Sequence, residues 1–186
     1  VDPNVSKGNS WVTTPLNQQI QGNVNFKETS LYAWLMEQMF TEKVSLVEKM
    51  TLFWHNHFVV SNIYDPRMNY DYITLLRLNS LGNFKALAEK ITVDKSMLIY
   101  LNGNTNNKNA PNENYARELM ELFTLGKGEL AGPGDYTTYT EQDVAAIAKA
   151  LTGWFVYTDR QDPTVYPEAR FNPNTHDTSV KQLSNR

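Results

Sequence analysis

The sequence predicts an all-α, single multi-helix domain with long irregular loops. Three observations predict it: apolar residues recur at helical spacing from Thr29 onward, the breaks between these stretches carry Pro, Gly or Asn, and the composition suffices for a packed core. Hydrophobic residues make up 41% and aromatics 12% of the 186 residues, far from a disordered composition, and the length suits one core. There is no internal repeat and no clear linker.

Residues 1–28, rich in Asn, Gln, Ser, Thr and Gly, read as an irregular arm with Trp11 as an anchor, and 29–186 as the helical domain. Leu31, Trp34 and Leu35 begin the helical spacing. A second helix is expected from near Thr41, whose hydroxyl would cap the following amides, to about Val60. A turn at Asp65-Pro66 opens the next helix, through Asn79, and Gly82 separates it from a segment running from Phe84 to Ile91. Asp94 to Leu101 reads as a short helix. The polar stretch from Asn102 to Ala110 is a loop, and Pro111-Asn112 then opens the most regular helix, ended by Gly126. Gly126 to Tyr139 reads as a loop or small hairpin, Thr140 caps a helix through Thr152, and the chain beyond Trp154 reads as irregular.

Composition also excludes function classes. A net charge of −3 lacks the basic footprint of phosphate contacts, so nucleic acid is not an expected partner. With no Cys, disulfides, thiolate metal sites and a Cys nucleophile are excluded together. No apolar run approaches the length of a membrane span. No nucleophile elbow, phosphate loop or dinucleotide fingerprint is present, and Gly126-Lys127-Gly128 is too short to be one.

Polar side chains within the helical pattern supply the candidate site. On the helix around Phe53 to Phe58, His57 projects onto the same arc as Val47, Met50, Phe53, Trp54 and Phe58, whereas His55 points away, so His57 is expected to be buried and in need of a polar partner. Two readings stand open: a core histidine satisfied by a neighbour, or a metal ligand or general base. The spacing of His55 and His57 does not by itself grip an ion.

On the helix after Asn112, Glu113, Asn114, Arg117, Glu118 and Glu121 share one arc, opposite Tyr115, Leu119, Met120, Leu122 and Phe123. This is either a solvated face, with a Glu113–Arg117 pair, or a carboxylate pair, since Glu118 and Glu121 point the same way as ligands do in helical bundles. Glu141 and Asp143 suit helix capping. His176-Asp177 puts the third His beside a carboxylate in a loop. The candidate catalytic set is therefore His57, Arg117, Glu118, Glu121, His176 and Asp177, and the candidate divalent-metal ligands are His57, Glu118 and Glu121.

Three segments together carry a resemblance: Thr51-Leu52-Phe53-Trp54-His55-Asn56-His57-Phe58, then Pro111-Asn112-Glu113-Asn114-Tyr115-Ala116-Arg117-Glu118-Leu119-Met120-Glu121-Leu122-Phe123-Thr124-Leu125-Gly126, then Tyr139 to Val144 with Leu151-Thr152-Gly153-Trp154. This pattern resembles the bacterial family of domain of unknown function 1800. Arg77, Asn79, Gly82, Asn83 and Phe84 fit its connecting segment, and His176, Asp177 and Lys181 its next polar motif. The resemblance implies a helical fold, a chain that is the central portion of a longer protein, and export to the periplasm or beyond. It implies no activity. The expected function is a structural or interaction module built on a buried His/Glu/Arg network, with the remainder of its own chain or another protein as partner. The alternative is metal-assisted or general acid-base hydrolysis. A carbohydrate or polymer binder using loop Trp and Tyr has compositional support alone.

Overall fold

The computed structural model describes residues 23–133, 135–159, 162 and 164–185; the expected arm with Trp11 lies almost wholly outside them. The chain is mostly helical but not all-α, because two short two-stranded sheets interrupt it. Two compact units emerge. One holds the described residues up to Asn83 with Tyr157–Glu168, the other those from Phe84 to Val156 with those from Ala169 on.

The first unit is built from α1 (Asn23–Thr41), α2 (Val47–His57) and α3 (Pro66–Asn79). Helix α1 starts earlier than its apolar spacing indicated, and its early turns carry Lys27, which is 1% exposed. Thr41 does not cap α2. Its hydroxyl donates back to the Glu37 carbonyl at 2.7 Å, closing α1, and the Glu42 carboxylate accepts instead from the Glu48 amide at 3.2 Å. At the start of α3, Pro66 fixes the first helical φ and Asp65 accepts from the Arg67 amide at 2.9 Å. The same carboxylate takes the Arg67 guanidinium, Nε at 3.1 Å and Nη2 at 2.7 Å, with both side chains buried. The Tyr166 ring lies 5.3 Å from that guanidinium. Leu31, Phe58, Met68, Tyr72, Ile73 and Leu76 make the core. Arg77 forks onto Glu48 and lies 5.3 Å from the Trp34 ring, which gives this motif residue a helix-pairing role.

The second unit begins with α4 (Phe84–Thr92) and α5 (Lys95–Tyr100), the latter capped by Asp94 accepting from the Ser96 amide at 2.8 Å. Helix α6 (Glu113–Glu118) continues as a π-helix over Leu119–Thr124, with the Leu125 amide reaching the Met120 carbonyl at 2.8 Å. Strands β1 (Leu130–Gly132) and β2 (Asp135–Tyr136) then pair antiparallel before α7 (Glu141–Ala150). Trp154 opens regular structure where an irregular tail was expected, since β3 (Trp154–Tyr157) pairs with β4 (Glu168–Phe171). Among the described residues no helix is long and apolar enough to cross a membrane.

The Asp65–Arg67 pair yields a direct expectation. Removing one partner of a buried pair strands the other charge, so Asp65→Ala should lower unfolding free energy by about 3–5 kcal/mol in urea denaturation of the whole chain.

Candidate functional site

The polar loop before α6 is held down by its own asparagines. Asn106, 3% exposed, donates from Nδ2 to the Ala148 carbonyl at 3.0 Å and accepts the Asn112 amide on Oδ1 at 2.8 Å. Its carbonyl takes the Gly153 amide at 3.0 Å. Asn112 caps α6 by accepting from the Tyr115 amide at 3.0 Å, while its Nδ2 donates to the carbonyls of Leu101 and Asn102. A short polar side chain that both donates and accepts is what irregular backbone needs when no ladder satisfies it.

From this base α6 presents its motif face to the chain that returns as α7. Arg117 does not pair with Glu113: its guanidinium forks onto Glu141, Nη1 at 2.8 Å and Nη2 at 2.6 Å. Glu121 accepts the Tyr139 hydroxyl at 2.7 Å and lies 3.2 Å from the Lys127 ammonium, which itself sits 4.8 Å from the Tyr136 ring. The Tyr139 hydroxyl, followed by Lys127, holds the Glu121 carboxyl below its ordinary range. Burial and then the Glu121 carboxylate push the Tyr139 phenol up. Glu118 is half-buried and its carboxylate makes no hydrogen bond or ion pair among the described residues. The onset of the π-helix after Glu118 changes the angular step, so Glu118 and Glu121 are not repeats of one environment.

The third motif closes the other end of α7. Thr152 is fully buried; its hydroxyl donates to the Lys149 carbonyl at 2.7 Å and accepts the Asp177 amide at 2.7 Å. His176 Nδ1 lies 2.8 Å from the Thr152 carbonyl, and because a carbonyl only accepts, that nitrogen carries the proton. Gly153 adopts φ +95°, and a Cβ there would meet Phe171 at 2.9 Å and the His176 Cβ at 3.0 Å, which explains the glycine. Asp177 accepts from the Ser179 hydroxyl and from the Ser179 amide at 2.8 Å and pairs with Lys181 at 3.3 Å; the Ser179 donors first, then Lys181, pull its carboxyl down to about 2. The His-Asp pair is thus a docked segment.

Thr140 and Asp143 form a reciprocal capping box at the start of α7, as the sequence indicated. Asp143 also accepts from the Ser184 amide at 2.6 Å and hydroxyl at 2.7 Å. Burial alone would raise this carboxyl, yet the Ser184 and Thr140 donors outweigh it and bring it to about 2. Beside these residues an open groove of about 460 Å³ is lined mainly by apolar side chains, among them Phe84, Leu119, Met120 and Ile147.

His57 belongs to the first unit, whereas Arg117, Glu118, Glu121, His176 and Asp177 belong to the second. It is half-buried rather than enclosed, with the rings of Phe58 at 4.6 Å and Trp54 at 5.9 Å. Phe53, placed on the same arc, is 53% exposed. The single-face projection fails because α2 packs against both α1 and α3, so the opposite face is covered too. Burial there acts on His55, lowering its pKa beside the Tyr72 ring at 5.8 Å. Among the described residues no group of three His, Asp or Glu side chains could hold a metal ion. Asn106, Tyr139 and Thr152, which hold the motif segments together, escaped the sequence reading of the site. Tyr139 and Thr152 stand inside quoted motifs, and Asn106 had only the breaker chemistry of its loop as a signal.

A mostly helical chain whose site is a polar network strung between helix ends is the class these features define. The chain belongs to the family described as "Protein of unknown function (DUF1800)", which it matches over residues 5–186. No curated protein and no solved structure matches it.

Asp143 supplies a pH test. Its folded-state carboxyl titrates below the ordinary 3.8, so its stabilisation is complete above that value and is lost as pH falls through about 2. Asp143→Asn should cost about 0.5–2 kcal/mol at neutral pH, the range for a lost cap, and should flatten that part of the acid limb of the stability profile, read by thermal unfolding across pH.

Proposed function

We propose that this region is a structural and interaction module whose motif side chains fix the register of its helices and loops. One observation carries the reading: Arg117, Glu121, Tyr139, Glu141, Asp143, Thr152, His176 and Asp177 bond to one another, to neighbouring polar side chains or to backbone groups within the second unit. Such a network orders segments that lack a continuous ladder, and its members are costly to remove singly. Partners on this reading are the rest of its own chain or another protein, in an exported location.

General acid-base hydrolysis is a second reading with one supporting observation. The Thr152 carbonyl fixes the His176 tautomer with the proton on Nδ1, which leaves Nε2 as the ring's acceptor, the arrangement a general base needs.

A double-mutant cycle of Glu121→Gln and Tyr139→Phe, run beside elemental analysis of the purified chain, tests the structural reading. The structural reading expects each variant to lose stability, with a coupling energy of about 0.5–3 kcal/mol in chemical denaturation. It fails if the variants keep full stability, or if a stoichiometric metal is found that Glu118→Ala releases.

A further inference from the structure

The first unit contains a second concavity, of about 300 Å³, walled by α1, α2, the segment after α2 and α3. Its polar lining comes from His55, Ser61, Asn62, Asn69 and Glu28. The side chains of His55, Ser61, Asn62 and Asn69 make no hydrogen bond among the described residues, although His55 and Asn69 are half-buried. Asn106 and Asn112 commit both ends of their carboxamides to pinning loops, whereas Asn62 and Asn69 line a concavity with theirs uncommitted. Asn62, in the pocket lining, holds φ 59°, a left-handed conformation that Asn adopts at turns and ligand sites.

The chemistry of the lining selects among ligands. Glu28 is its one charged side chain and neither Lys nor Arg contributes, so anions are disfavoured. Burial keeps His55 neutral near pH 7, so the imidazole offers one donor and one acceptor. A divalent cation lacks three gathered ligands among the described residues. What remains complementary is a neutral group dense in hydroxyls with an apolar face, since Leu31, Ile63 and the Tyr72 ring line the same space.

We propose that this pocket binds a neutral pyranose sugar, with Asn62, Asn69 and His55 taking its hydroxyl groups and the apolar wall taking its C–H face. Carboxamides suit this task because each donates and accepts at once, matching the alternating roles of adjacent hydroxyls. The pocket lies on the FWHNHF segment but uses His55, so it stands apart from the network of the second unit and from the reading proposed for it.

The test follows the Cε1–H resonance of His55 in the full chain, assigned with His55→Gln, while glucose, galactose, mannose and N-acetylglucosamine are added singly. The expected result is a saturable shift with at least one sugar, weakened about tenfold in Asn69→Ala, the loss expected for one hydrogen bond in a desolvated site. Should Asn69→Ala not fold, Asn62→Gly keeps the left-handed backbone and carries the same expected loss. No saturable shift with any of the four sugars overturns the proposal, as does a shift that the variants retain in full, or an equal response to sodium acetate or zinc chloride.

Discussion

Asn106 ties together pieces of the second unit that have no common hydrogen-bond ladder. Its side chain and carbonyl reach the end of α7, the amide at which α6 is capped, and the backbone that turns into β3. Each bond contributes about 1 kcal/mol net, but leaving the buried partners unsatisfied costs about 1–3 kcal/mol apiece. The short loop segments are therefore tied directly to the helices. His176 and Asp177 dock on Thr152 at the end of α7, one residue before the glycine whose amide Asn106 accepts.

The same logic extends along α6. A π-helical turn inserts extra arc per hydrogen-bonded ring, and in this chain it falls in the middle of the acidic motif. Arg117, on the α-helical side, reaches across to Glu141. Glu121, on the π side, meets Tyr139 and Lys127 at the hairpin. One motif thus grips two consecutive parts of the returning chain. Only Tyr139 is strongly buried; the Arg117–Glu141 fork is partly exposed and is worth less than its geometry suggests.

Helix existence was legible where periodic apolar residues coincided with stop signals. The Asp65-Pro66 start, the Asp94 start, the Thr140 box and the Gly126 end all rest on single-residue chemistry that acts locally. The early turns of α1 were not legible, because Lys27 is buried by tertiary packing that no local period reports. The β1–β2 pair falls where the glycine-rich stretch offered a loop or small hairpin, but the β3–β4 pair escaped, because strands of four residues leave little alternation to read. Of the candidate site, Arg117, Glu121, His176 and Asp177 proved to be bonded within one unit, but their partners Glu141, Tyr139 and Thr152 are set by chain return.

The histidine pair shows why a projection onto one face misleads in a small helical unit. Helix α2 has neighbours on two sides, so its residues and the Phe58 that ends it divide three ways, between the packing against α3, the concavity walled by α1 and α3, and the open surface. Phe58 takes the first and is fully buried; Phe53 takes the last. His55 takes the second, where burial penalises its charged form and no internal hydrogen bond compensates. A polar group in that position is stable only if water or a ligand completes its hydrogen bonding. The second unit resolves the same problem internally through Thr152 and His176, and it is this difference in how two imidazoles are satisfied that divides structural from ligand-facing polarity in the molecule.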